Sequence, residues 1–222
     1  MTTYYKATRP DGRDFHSGTV DYAAALESGS TIKHKRPKLK DVNAAHYLSL
    51  SVEPGDCTGM SWPCRLFEVE PVSDVWTPHK DDLPNKRAVT ALKVVRELPP
   101  ETVFGKQAAE VLAIVARFDT LTTDEKSALR RAVDSTPGFW TAWDAVADLG
   151  GLAGRVGLAA ARRALSDQLR GWVVGSAACG AALAVLLRDQ KALARKDYAT
   201  LTAPWRAVIG SAHPKDRLKV GK

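Results

Sequence analysis

Five cationic side chains crowd into eight residues, Lys33-His34-Lys35-Arg36-Pro37-Lys38-Leu39-Lys40. The chemistry open to such a run is neutralisation of anions, since ammonium and guanidinium groups displace the counterions of phosphates. No aromatic residue interleaves them, so stacking on nucleobases is not part of the pattern. Like charges at this density repel one another, which predicts an exposed loop. The candidate binding residues are Lys33, Lys35, Arg36, Lys38 and Lys40 here, with Arg162, Arg163 and Arg170 in the second half of the chain.

Nucleophile chemistry has less to start from. Cys57, Cys64 and Cys179 are odd in number and none forms a CxxC spacing, which predicts reduced thiols in a reducing compartment. A Cys57–Cys64 disulfide is sterically conceivable across a turn, but the spacing is not that of zinc ligands. His16, His34, His46 and His79 share the first half of the chain, and none stands at ligand spacing from another. A cysteine hydrolase built on Cys57 or Cys64 with His46 or His79 would need those residues to meet in space, because the sequence does not join them. Gly151, Gly154 and Gly157 are spaced GxxGxxG with no strand before them, unlike the dinucleotide fingerprint. Gly105-Lys106 lacks the upstream glycine of a phosphate loop, and there is no HExxH and no nucleophile elbow. No catalytic set, no metal site and no cofactor is predicted.

The chain has 222 residues, of which 45% are hydrophobic and 26% charged, enough to bury a core without disulfides or metal. Its net charge of +7 lies unevenly. Residues 101–154 carry 5 basic against 8 acidic side chains, whereas 155–222 carry 13 against 4. The far end of the chain therefore sets up a field that attracts polyanions or acidic proteins. The N-terminus shows no basic region followed by an apolar run, so no signal peptide is expected. Gly171 to Leu187 holds no charge, but its 17 residues fall short of the roughly 20 that a bilayer core requires. A buried bundle helix is expected there, and a membrane partner is not.

The elements that must position these residues follow from periodicity. Residues 3–8 read as a strand, closed by the turn residues Pro10-Asp11-Gly12. Asp21 is placed to cap a helix that Gly29 ends. Tyr47 to Val52 and Cys64 to Glu70 alternate as half-buried strands do. The glycine- and proline-bearing connection between them, 53–63, is long enough to line a site. A last strand is expected from about Thr90 to Glu97, with Pro99-Pro100 closing the module. Helical spacing then takes over. Thr122 with Glu125 forms a capping-box signature, and Pro137-Gly138 precedes a helix that starts near Phe139. Trp140 and Trp143 share one helical face, as core residues do. After Gly150-Gly151, alanine-rich helices are expected over 152–169 and 172–187. A final one from Arg195 to Ile209 should split or kink before Pro204. The expected fold class is α+β: a small antiparallel or mixed β-rich module over 1–98, an all-α, alanine-rich bundle over 101–210, and a flexible basic tail over 211–222.

The segments Tyr5-Lys6-Ala7-Thr8-Arg9-Pro10-Asp11-Gly12, Tyr47-Leu48-Ser49-Leu50-Ser51, Cys57-Thr58-Gly59-Met60-Ser61-Trp62-Pro63-Cys64-Arg65-Leu66-Phe67 and Pro84-Asn85-Lys86-Arg87-Ala88 resemble a family of uncharacterised proteins from actinobacteria and their bacteriophages. In that family the second half is often alanine-rich with Trp-Asp-Ala-Ala units, to which Trp143-Asp144-Ala145 is similar. The resemblance implies a phage or prophage origin and a cytoplasmic or virion-associated protein, and it brings no activity. Ser49-Leu50-Ser51 followed by Glu68-Val69-Glu70 also faintly looks like the Ser and Glu elements of ADP-ribosyltransferases. In those enzymes a glutamate orients the ribose while a serine steadies the nicotinamide pocket. The same pairs arise wherever two alternating strands turn polar residues to water.

The expected function is therefore that of a phage accessory protein acting by binding through its basic surface. Its expected partners are a host or virion protein, with nucleic acid as a further anionic partner. The alternative is an ADP-ribosyltransferase-like enzyme using Ser49, Ser51, Glu68 and Glu70.

Overall fold

Strand β1 (Tyr4–Thr8) lies between β3 (Leu48–Ser51) and β4 (Arg65–Pro71) in a sheet ordered β2-β6-β4-β1-β3-β5. The remaining strands are β2 (Thr31–Lys33), β5 (Lys86–Val89) and β6 (Ala91–Leu98), and every pairing is antiparallel. This computed structural model describes residues 3–57, 62–81, 83–149, 172–188 and 193–216. The chain divides into two compact units, one running to Gly105 and the other starting at Lys106. The fold is α+β, with the sheet in the first unit and helices making up the second.

In the first unit, helix α1 (Tyr22–Ser28) forms because both its ends are satisfied. The Asp21 carboxylate accepts from Ala24 N at 2.9 Å, and Gly29 adopts φ 65° to end the turn. Tyr22 and Ala25 face the sheet and join Leu48, Leu50, Phe67, Val69, Val89, Leu92 and Val94 in one core. The Tyr22 and Phe67 rings stack at 6.4 Å. Burying each ring stabilises the unit by about 2–3 kcal/mol. Ala7 and Leu66, opposite each other in register, are buried as well. They alternate with Lys6 and Phe67 and so point to the other face of the sheet.

The sheet is unevenly joined. β1 and β4 pair along five residues, from Tyr4 with Val69 to Thr8 with Arg65, whereas β1 and β3 meet only at Tyr5 with Ser51. β5 pairs with β3 alone among the named strands. The strand expected near 90–97 is β6, and a further strand, β5, precedes it. Ser73 Oγ accepts from Thr90 N at 2.9 Å and from Ala91 N at 3.1 Å, and this divides β5 from β6.

The second unit contains α2 (Ala108–Asp119), α3 (Thr123–Asp134), α4 (Phe139–Leu149), α5 (Trp172–Leu187) and α6 (Arg195–Val208). On α2, Val111, Ile114, Val115 and Phe118 recur at steps of three and four and are buried. The capping box of α3 is closed from both sides: Thr122 Oγ1 accepts from Glu125 N, and Glu125 accepts from Thr122 N. Described side chains of α5 from Val174 to Val185 are all buried, as expected of a helix apolar on every side. It packs against α2, α3 and α6. Among the described residues no helix is long and apolar enough to cross a membrane. Gly180 lets α5 approach closely, since a Cβ there would sit 3.3 Å from Phe139 Cζ and 3.5 Å from Leu201 Cδ2.

α6 runs unbroken through Pro204, where a split or a kink was expected. Proline withdraws one N–H, and the fully buried Leu201 with Trp205 anchors both sides of the gap. Residues 211–216, expected to open the tail, are held in place. Tyr198 Oη donates to Asp216 at 2.9 Å, and the buried His213 reaches Gln107 Oε1 at 3.2 Å. The helix expected over 152–169 lies outside the described residues.

Candidate functional site

A cleft of about 910 Å³ opens in the first unit beside α1. Lys6 reaches it from β1. Being opposite Phe67 in register, Lys6 emerges on the α1 face of the sheet, a position the pattern reserves for apolar side chains. β1 and β3 share only one residue pair, and beyond it the Lys6 ammonium bridges the strands, donating to Ser49 Oγ at 2.9 Å. Its Nζ also stands 5.5 Å from the centre of the Tyr22 ring. Lys86, the first residue of β5, enters from the far side of β3 and places its Nζ 5.4 Å from the centre of the Tyr47 ring. Both lysines are only 8% exposed.

Tyr47 is held from behind. Its ring meets Trp76 edge-on at 5.8 Å, and Trp76 Nε1 donates to the Asp41 carbonyl at 2.9 Å. One wall of the cleft is the loop 14–20, which is organised by a single carboxylate. Asp14 accepts from the backbone N–H groups of Ser17, Thr19 and Val20 at 2.7, 3.1 and 2.9 Å, and from Ser17 Oγ. Lys33, His34 and Lys35 complete the lining.

The electrostatics follow from this burial. Desolvation lowers the pKa of Lys6, against smaller opposing effects of Cys57 and Asp14. Desolvation also lowers that of Lys86, and the positive charge of Lys6 adds to the shift. Burial alone would raise the Asp14 carboxyl. The hydrogen bonds from Ser17 and Val20 and the charge of Lys6 outweigh it, leaving the group below its ordinary value. Among the described residues, no carboxylate lies within ion-pairing distance of either lysine amine. Asp14 is near enough to act on Lys6 through its charge, but its oxygens are occupied by the loop. The arrangement sets two desolvated cations, a hydroxyl and the Asp14 carboxylate around the cleft.

Of the residues singled out in the sequence, Lys33, Lys35 and Ser49 line the cleft. Arg36, Lys38 and Lys40 belong to the same basic run but not to the lining. Arg162, Arg163 and Arg170 lie outside the described residues. Glu68 is turned away, bonded through Oε2 to Arg96 Nε at 2.8 Å, and Glu70 is exposed near the end of β4. Ser51 Oγ is buried with no hydrogen-bond partner among the described residues. The four residues of the transferase-like reading thus do not gather in one place. Cys57 and Cys64 are free, and burial pushes each thiol up to about 12, which keeps both protonated and unreactive at neutral pH. His46 is engaged with Asp41 at 2.7 Å, and His79 with the Tyr47 hydroxyl at 3.5 Å. No group of three His, Cys, Asp or Glu among the described residues is placed to hold a metal ion.

Lys6, Lys86, Asp14 and Tyr22 escaped the sequence reading. The available signal was a lysine at the centre of Tyr4-Tyr5-Lys6-Ala7-Thr8, where strand alternation puts an inward side chain. No protein-family model, curated protein or solved structure matches the chain.

Proposed function

We propose that the first unit is a binding module for a small phosphorylated molecule, which it takes into the cleft of Lys6, Ser49 and Lys86. The observation that carries this reading is the pair of buried ammonium groups facing one cleft, with no carboxylate among the described residues within ion-pairing distance of either. Burying a charge without a partner is costly, and an incoming anion offsets that cost. Lys33 and Lys35 extend the positive field along the lining. The depth of the cleft suits a small ligand better than a nucleic-acid duplex. In this reading the protein is a phage accessory protein acting by binding, and ligand occupancy of this unit accompanies contact with a host or virion protein.

Calorimetric titration of the full chain with inorganic phosphate, adenosine 5′-monophosphate and pyridoxine 5′-phosphate at two salt concentrations tests the proposal. Binding that weakens with salt is expected. Lys6→Met or Lys86→Met should weaken it about 10- to 100-fold, the equivalent of losing one charge-assisted hydrogen bond of about 1.5–3 kcal/mol. Lys38→Met, on the same basic run but outside the lining, should leave it unchanged. Absence of binding for all three compounds at millimolar concentration overturns the proposal, as does equal binding by both cleft variants.

A further inference from the structure

Resting on that reading, we propose that Lys6 is a carbonyl-reactive amine and that the ligand is a phosphorylated aldehyde or ketone, captured on Lys6 Nζ as a Schiff base. Three features of the geometry lead there. The amine is fixed rather than swinging, because Ser49 Oγ holds it at 2.9 Å and the Tyr22 ring lies beneath it. It is buried, and among the described residues no carboxylate lies within ion-pairing distance of it. A second ammonium, Lys86, faces the same cleft; burial lowers the pKa of both amines, and the charge of Lys6 adds to the shift of Lys86. A desolvated lysine beside another cation is the arrangement that makes an amine nucleophilic near neutral pH.

The roles divide between the two lysines. Lys86 keeps its charge and holds the phosphate. Lys6, neutral, adds its lone pair to the carbonyl carbon, and the carbonyl oxygen takes up a proton to give a carbinolamine. That hydroxyl leaves as water with a further proton, and the nitrogen retains one proton as an iminium. One C–O double bond, one N–H bond and one proton taken up from solvent are exchanged for a C–N double bond and a water molecule, with no change of oxidation state. Ser49 acts as a positioning residue, aligning the amine without touching the carbonyl.

The test uses pyridoxal 5′-phosphate as the phosphorylated aldehyde and pyridoxine 5′-phosphate as its alcohol counterpart, which cannot form an imine. The full chain is incubated with the aldehyde over a range of pH, reduced with borohydride, digested and mapped by mass spectrometry. Label is expected on Lys6, at least tenfold faster than on Lys38 or Lys40, and prior addition of the alcohol should suppress it. Lys38→Arg should label as wild type. Ser49→Ala, which keeps the lysine, should slow labelling of Lys6 and move its pH profile. Lys6→Arg should remove the fast phase, with circular dichroism confirming that the variant is folded. Label spread evenly over surface lysines, while the alcohol still binds in the calorimeter, overturns the Schiff-base proposal and leaves the cleft reading intact. Failure of both compounds to bind removes the two together.

Discussion

Replacement of Asp14 probes the wall of the cleft, and its cost can be worked from the hydrogen bonds it would break. Oδ2 accepts from Ser17 N at 2.7 Å, while Oδ1 accepts from Thr19 N at 3.1 Å and Val20 N at 2.9 Å. Asp14→Ala deprives three backbone donors of their acceptor. At roughly 1–1.5 kcal/mol each, the total is about 3–5 kcal/mol. Asp14→Asn retains an oxygen for Thr19 and Val20 and loses only the bond from Ser17, for about 1–2 kcal/mol. In a unit of about 100 residues each kcal/mol moves the midpoint by about 4–8 °C. The alanine variant should therefore melt at least about 12 °C lower and the asparagine variant about 4–16 °C lower, read by circular dichroism and calorimetry. The same carboxylate fixes an acid limb. Its native pKa is depressed, so its contribution is fully present above the ordinary value of 3.8 and is lost as pH falls through the lower native value. An alanine variant melting within about 3 °C of wild type, with an unaltered acid limb, would refute the assignment of loop 14–20 to this carboxylate.

Further perturbations test other joints. Gly12 has φ 84°, and a Cβ there would lie 2.4 Å from Ala23 Cβ, so Gly12→Ala should destabilise the first unit by about 2–4 kcal/mol in chemical denaturation. Thr122→Ala opens the capping box of α3 and should cost about 1 kcal/mol by the same measurement. Burial, followed by the charge of Arg188, lowers the pKa of His213. The second unit should therefore lose stability as pH falls from the ordinary 6.5 towards the native value, a slope that His213→Gln removes. Leu129→Ala empties a fully buried position on α3 and should cost about 2–5 kcal/mol, seen as a lower midpoint in urea.

Local chemistry made much of the fold legible. Asp21, Gly29, Thr122 and Glu125 act as the caps their types and spacings suggest, because a cap is satisfied within a few residues of chain. The strands at 4–8, 48–51 and 65–71 follow from alternation for the same reason. β2 and β5 were hidden. β2 has only three residues, Thr31-Ile32-Lys33, and runs into the basic segment, while β5 is set apart from β6 by a serine hydroxyl seventeen positions away. Pro204 misled in the opposite direction, since tertiary anchoring by Leu201 and Trp205 carried the helix past it. The cleft was the least legible feature. Lys6, Ser49 and Lys86 are separated by about forty residues each, and their meeting depends on the strand order β1-β3-β5. Charge density pointed to Lys33 to Lys40, whereas the most consequential cations are the two isolated lysines that strand geometry buries.

The single pairing of Tyr5 with Ser51 makes the sheet a four-strand plate and a two-strand ribbon stitched at one point. Amide protons on the ribbon should then exchange in step with one another and apart from those of the plate. Leu48, Leu50 and Val89 tie the ribbon into the core beneath α1, so opening that stitch also strips apolar contacts from α1.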